Sequence, residues 1–220
     1  MKKITIVLST VLMSAIMLSS CGGVNSKEDI SGNSNEVLIG EQVWMTQNLN
    51  VDKFLNGDPI PEVKTNEEWI AAAENGQPAW CYYGNDPANG AKYGKLYNWF
   101  AVNDPRGLAP EGWHIPSRDE WITLINSLGE GDLVGPKMKS TSGWEENGSG
   151  NNSSGFSGLP GGYRDDFNDL DPVGAGGYWW CSTESDANSA VHFYLLHKYN
   201  MLIEYDLAKS YGLSVRCIKD

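Results

Sequence analysis

Three observations predict an α+β domain. Two segments open with helix-capping signatures and continue with apolar residues at helical spacing: Thr65-x-x-Glu68 before Trp69, and Ser117-x-x-Glu120 before Trp121. Four strand-like segments, residues 178–183, 190–196, 201–205 and 213–219, follow one another at roughly ten-residue intervals, which suits an antiparallel meander. Between these halves, residues 140–177 hold Gly, Asn and Ser in no regular period. A loop region this long in a compact domain is usually functional, so it is the expected binding surface.

The chain opens with Lys2 and Lys3, then an apolar run at residues 4–18 that is too short to span a bilayer, then Leu18-Ser19-Ser20-Cys21. This resembles a bacterial lipoprotein signal peptide with its lipobox. The resemblance implies cleavage after residue 20, lipid on Cys21, and the membrane as a partner through that anchor. Residues 21–36 read as a flexible tether, rich in Gly, Ser and Asn. Within it, Lys27-Glu28-Asp29 resembles the export signal that follows the lipidated Cys in lipoproteins of the Bacteroidetes type. A plain solvated charge run reads equally well. The expected location is the cell envelope, at the outer membrane and exposed at the surface if the export signal acts.

The formal net charge is −12, and loss of residues 1–20, which removes Lys2 and Lys3 and no acid, lowers it to −14. Such a chain should not seek nucleic acid or anionic headgroups. Besides Cys21 the cysteines are Cys81, Cys181 and Cys217, with no Cys-x-x-Cys spacing. Arithmetic allows one bridge and a spare thiol, or no bridge.

In chain order, two short apolar runs around Gly40-Glu41 predict a tight hairpin, with Trp44 and Met45 in the core. Thr65 to Ala73 predicts a helix ended by Asn75-Gly76, and Trp80-Cys81-Tyr82-Tyr83 reads as a strand. A short helix is expected from Leu96 to Val102. Trp121, Leu124, Ile125 and Leu128 then fall on one face of a helix that Gly129 can end. Gly112-Trp113-His114-Ile115-Pro116 leads into it as an extended segment, read as scaffold rather than site. No second domain boundary is evident in residues 37–220.

Several of these stretches together resemble the Fibrobacter succinogenes major paralogous domain family. They include Gln42-x-Trp44-Met45-x-x-Asn48-Leu49, Tyr93-Gly94-x-Leu96-Tyr97-Asn98-Trp99, Gly112-Trp113-His114-Ile115-Pro116-Ser117, Gly155-Phe156-Ser157-x-Leu159-Pro160-Gly161-Gly162-Tyr163-Arg164 and Ser214-Val215-Arg216-Cys217. The resemblance covers residues 37–220 and implies a C-type-lectin-like domain: two main helices, small antiparallel sheets and a long irregular loop region. It implies no established activity. Members often have Cys-Pro before Gly-Trp-His where Ala109-Pro110 stands here, and Ser where Cys181 stands. A bridge between Cys181 and Cys217 is therefore expected, with Cys81 to Cys217 as the alternative.

Candidate chemistry is sparse. His192 and His197 are five apart and would face opposite sides of one strand, so no zinc site is expected. His114 reads as a hydrogen-bonded structural residue. Asp165-Asp166-Phe167-Asn168-Asp169-Leu170-Asp171 offers hard oxygen ligands but fails the EF-hand pattern, and the sugar-binding tripeptides of calcium lectins are missing. No cofactor is expected, with calcium as the weaker alternative. Gly155-Phe156-Ser157-Gly158 lacks the last Gly of a nucleophile elbow, and Gly135-Pro136-Lys137 lacks the pattern of a phosphate loop. Formylglycine-generating enzymes share the broader fold but need a reactive cysteine pair, so the chain is expected not to be an enzyme.

Binding by aromatic stacking is the positive expectation. Trp179 and Trp180 are adjacent on a strand, so one should face the core and the other a ligand. The expected ligand residues are Trp144, Asn151, Asn152, Arg164, Asp165 and Trp180, and the expected ligand is a surface glycan or protein. A structural subunit of an envelope complex with no small ligand is the alternative.

Overall fold

The structure is a computed structural model and describes residues 35–165 and 172–220, all within one compact unit, Asn33–Asp220. The signal segment, Cys21, Lys27-Glu28-Asp29 and most of the acidic run 165–171 lie outside the described residues.

The predicted N-terminal hairpin forms from β1 (Glu36–Ile39) and β2 (Gln42–Met45), in a register that pairs Ile39 with Gln42 around Gly40 at φ 62°. Helix α1 (Asn66–Glu74) follows, with Thr65 Oγ1 accepting from the Glu68 N–H at 3.2 Å. Next come β3 (Trp80–Cys81), α2 (Pro87–Tyr93), β4 (Leu96–Tyr97) and α3 (Trp99–Val102). The expected helix over 96–102 is thus divided. Asn98 stops β4 and caps α3, its Oδ1 accepting from Ala101 N–H and Ala79 N–H.

β5 (Trp113–His114) leads into α4 (Arg118–Leu128), where Ser117 and Glu120 form the predicted reciprocal capping box and Gly129 ends the helix at φ 120°. Trp121, Leu124 and Leu128 are buried. A short helix not expected from the sequence, α5 (Val134–Met138), follows.

The rest of the sheet structure is β6 (Gly176–Glu184), β7 (Ser189–Leu196), β8 (Ile203–Ala208) and β9 (Ile218–Lys219). The expected four-stranded meander is three-stranded, β6-β7-β8. The last segment instead crosses the molecule. β9 pairs with β2 and β5, while Trp180 N–H reaches Ser214 O and Leu49 N–H reaches Val215 O. Residues 212–218 are all buried. Their side chains alternate between two cores, as an extended backbone requires: Leu213, Val215 and Cys217 enter one, and Ile218 enters the other.

The same alternation corrects two expectations. Trp179 and Trp180 are both fully buried, because both faces of β6 are covered. Trp179 and Cys181 enter the core with Trp44, Trp121 and Phe193, whereas Trp180 enters the core with Trp80, Tyr97 and Val215. The thiols are therefore kept apart. Cys181 and Cys217 lie in different cores, Cys81 lies in a third cluster, and all three are free. Neither the Cys181–Cys217 bridge nor the Cys81–Cys217 bridge forms.

Candidate functional site

The stretches that carry the family resemblance meet at Asn48. Its Nδ2 donates to Tyr93 O at 2.8 Å and to Ser214 Oγ at 3.1 Å. Its Oδ1 accepts from Trp179 Nε1 at 2.9 Å and from Arg216 Nη2 at 2.6 Å and Nε at 3.1 Å. Gly94 is needed beside it, since a Cβ there would stand 2.7 Å from Leu49 O at a backbone φ of 78°.

Arg216 is fully buried without a carboxylate partner among the described residues. It is accommodated by Asn48 Oδ1, Met45 O and Phe156 O, with its guanidinium 4.4 Å from the Phe156 ring centre. Burial pushes its pKa down to about 9, which leaves it charged at neutral pH.

The stacking of a buried cation on a ring recurs, with a carboxylate partner among the described residues only for Lys209, on Glu184. Buried Lys95, Lys139, Arg164 and Lys209 lie over Trp80, Trp144, Trp69 and Trp99 respectively, each also donating to backbone carbonyls.

This arrangement corrects most of the expected ligand residues. Trp144 is buried, with Nε1 donating to Ser140 Oγ. Arg164 is buried and donates to Val63 O and Thr65 O, holding the start of α1. Trp180 donates to Tyr97 O in the core. Asn152, at φ 51°, brackets Ser157 through both amide atoms, so its side chain shapes the loop. Asn151 is exposed and makes a local turn with Ser153 N–H, and Asp165 is half-buried and engaged. The six do not converge on a common depression.

The tryptophan that does reach the surface is one that the sequence assigns to scaffold. Of nine tryptophans eight are buried, and Trp113 alone is partly exposed, packed on one side against a core cluster. Trp113 N–H closes a turn onto Pro110 O with Gly112 at φ 77°. Neighbouring His114 is clamped, with Nδ1 2.7 Å from Asp220 Oδ1 and Nε2 2.7 Å from Glu120 Oε1. Burial would lower the His114 pKa, but the two carboxylates outweigh it and raise it.

Trp113 walls a groove of about 400 Å³ with Glu36, Met45, Gln47, Asn50 and Val51. A second depression of about 360 Å³ shares Gln47, Asn48 and Asn50 and continues past Thr46, Lys92 and Ser157. Asn48 is saturated by the hub, and Asn50 donates to Gly90 O and accepts from Lys95 Nζ, which leaves exposed Gln47 to meet a ligand. Lys219 stands 5.7 Å from the Trp113 ring centre, held by Glu36 at 3.0 Å.

No three metal-ligating residues cluster among the described residues. His192 is buried among Tyr178, Tyr194 and Tyr205, and His197 lies 3.5 Å from Glu146. The thiols are poor nucleophiles. Burial raises Cys81 and Cys181 and pushes Cys217 up to about 12.

Fold and hub together define an α+β domain whose recognisable residues serve its interior. Its sequence matches the family model described as the Fibrobacter succinogenes major domain over residues 37–219, and the chain belongs to that family. No curated protein and no solved structure matches it.

Proposed function

We propose that the chain is a cell-envelope lipoprotein, anchored through Cys21 at the outer membrane, whose C-type-lectin-like domain binds a surface glycan without catalysis. The observation that carries this reading is the single surface tryptophan, Trp113, beside a groove with amide side chains. A ring face gives the apolar side of a sugar a platform while amides bond its hydroxyls. The groove amides are neutral and the chain is strongly acidic, so the ligand class is a neutral oligosaccharide. The buried, separated thiols support the non-catalytic part of the reading, because a formylglycine-type reaction needs a reactive cysteine pair.

A second reading, an envelope assembly subunit, draws on one observation. Tyr163, Tyr178 and Tyr194 gather in ring contact on one face of β6-β7-β8, with Tyr205 joined to them through His192, and tyrosine is enriched at protein interfaces.

Thermal-shift titration of the purified chain with neutral oligosaccharides tests the first reading. One glycan class should give a saturable rise, and Trp113→Ala should weaken it by about 30-fold in a protein that is less stable but still melts cooperatively. Equal affinity in Trp113→Ala would overturn the site. A flat response to every glycan would favour the assembly reading.

A further inference from the structure

A third depression, of about 480 Å³, shares no lining residue with the two grooves above. Ile70 and Ala73 of α1, Phe100 of α3, Ala187 of the β6–β7 turn and Ala208 of β8 form its apolar walls. On α1, Asn66, Ile70, Ala73 and Glu74 are at i, i+4, i+7 and i+8, so one whole stripe of the helix faces this space. Trp69 is the only buried residue of that helix. Its second apolar stripe therefore packs against a gap where protein could have stood.

The polar groups at the groove are biased toward accepting. Asn66 Oδ1 is a buried acceptor with no donor among the described residues. Glu74 is an exposed carboxylate with no ion pair among them. The groove's cation, Lys209, is already committed to Glu184 and to Ala187 O.

We infer that this groove is a second binding site, for a compact small molecule that joins an apolar or aromatic body to a protonated nitrogen. The body takes water off Ile70, Ala73 and Phe100, and the nitrogen brings exposed Glu74 the donor it lacks. A volume of this size suits a small ligand. An anion would meet Glu74 and the negative field of the whole chain instead.

The test is chemical-shift mapping of the ¹⁵N-labelled full chain with 2-phenylethylamine, and with phenylacetate as its anionic counterpart. The amine should shift the amides of Ala73, Phe100, Asn188 and Ser210 saturably, with a midpoint on the order of millimolar for so small a probe. The amides of Gln47, Asn50 and Trp113 should stay still, which separates this site from the glycan groove. Glu74→Gln should weaken the amine by about 5-fold, and Ala73→Trp, which fills the space, should abolish binding in a protein that still melts cooperatively. Absence of saturable shifts at the four amides would overturn the inference. Equal binding of phenylacetate, or binding undiminished in Ala73→Trp, would overturn it as well.

Discussion

The two faces of β6 and β7 are both covered, but by different chemistry. On one face Trp179, Val191, Phe193 and Leu195 pack against Trp44, Trp121 and Phe156 in an apolar cluster whose rings meet at 4.9 to 6.3 Å. On the other, Tyr178, Trp180, His192 and Tyr194 form an aromatic layer with polar handles that thins out to Tyr205, which is 65% exposed. The first face holds the domain together. The second is where buried chemistry comes nearest to solvent along the sheet.

The largest effect should come from breaking the apolar face. Trp121 touches Trp44, Phe156, Trp179 and Phe193, so Trp121→Ala should lower unfolding free energy by about 3–5 kcal/mol in a denaturant titration. Its Nε1 has no acceptor among the described residues, so Trp121→Phe should cost much less.

His192 sharpens the contrast through pH. Burial lowers its pKa from the ordinary 6.5 to about 4, against weaker opposing pulls from the Tyr205 backbone and Asp206. The unfolded chain therefore takes up the proton first as pH falls. The stability tied to neutral His192 is complete above pH 6.5 and is lost between about 6.5 and 4, a change of about 3 kcal/mol at 1.36 kcal/mol per unit. His192→Phe should flatten that part of a stability–pH profile. A wild-type profile flat across the window would show that the imidazole is not sealed in. The smallest effect belongs to the rim, where Tyr205→Ala should change stability by less than about 0.5 kcal/mol.

Local signals were legible in the sequence wherever a few neighbouring residues decide the outcome. Ser117 and Glu120 need only each other to start α4, and Gly40 needs only its own freedom to turn the first hairpin. Residues whose role is decided by distant partners were not legible. Alternation correctly put Trp179 and Trp180 on opposite faces, but it cannot say that both faces are covered.

Arg164 looked like a surface ligand because arginine usually stays in water. Its burial depends on carbonyls of Val63 and Thr65, far back along the chain. Trp113 misled in the other direction. An extended, tryptophan-containing entry to a buried helix suggests core, yet β5 lies at the edge of its sheet, where a ring can be packed on one side and open on the other. The candidate groove was hidden for the same reason, since it joins Gln47 and Asn50 to a residue some sixty positions later.

The separation of Cys81, Cys181 and Cys217 into three clusters bears on how the protein matures. Among the described residues these three thiols do not meet in the native fold, so no disulfide between them has to form for the domain to reach it. Each thiol is instead held by the packing of its own cluster, with no covalent tie between one cluster and the next.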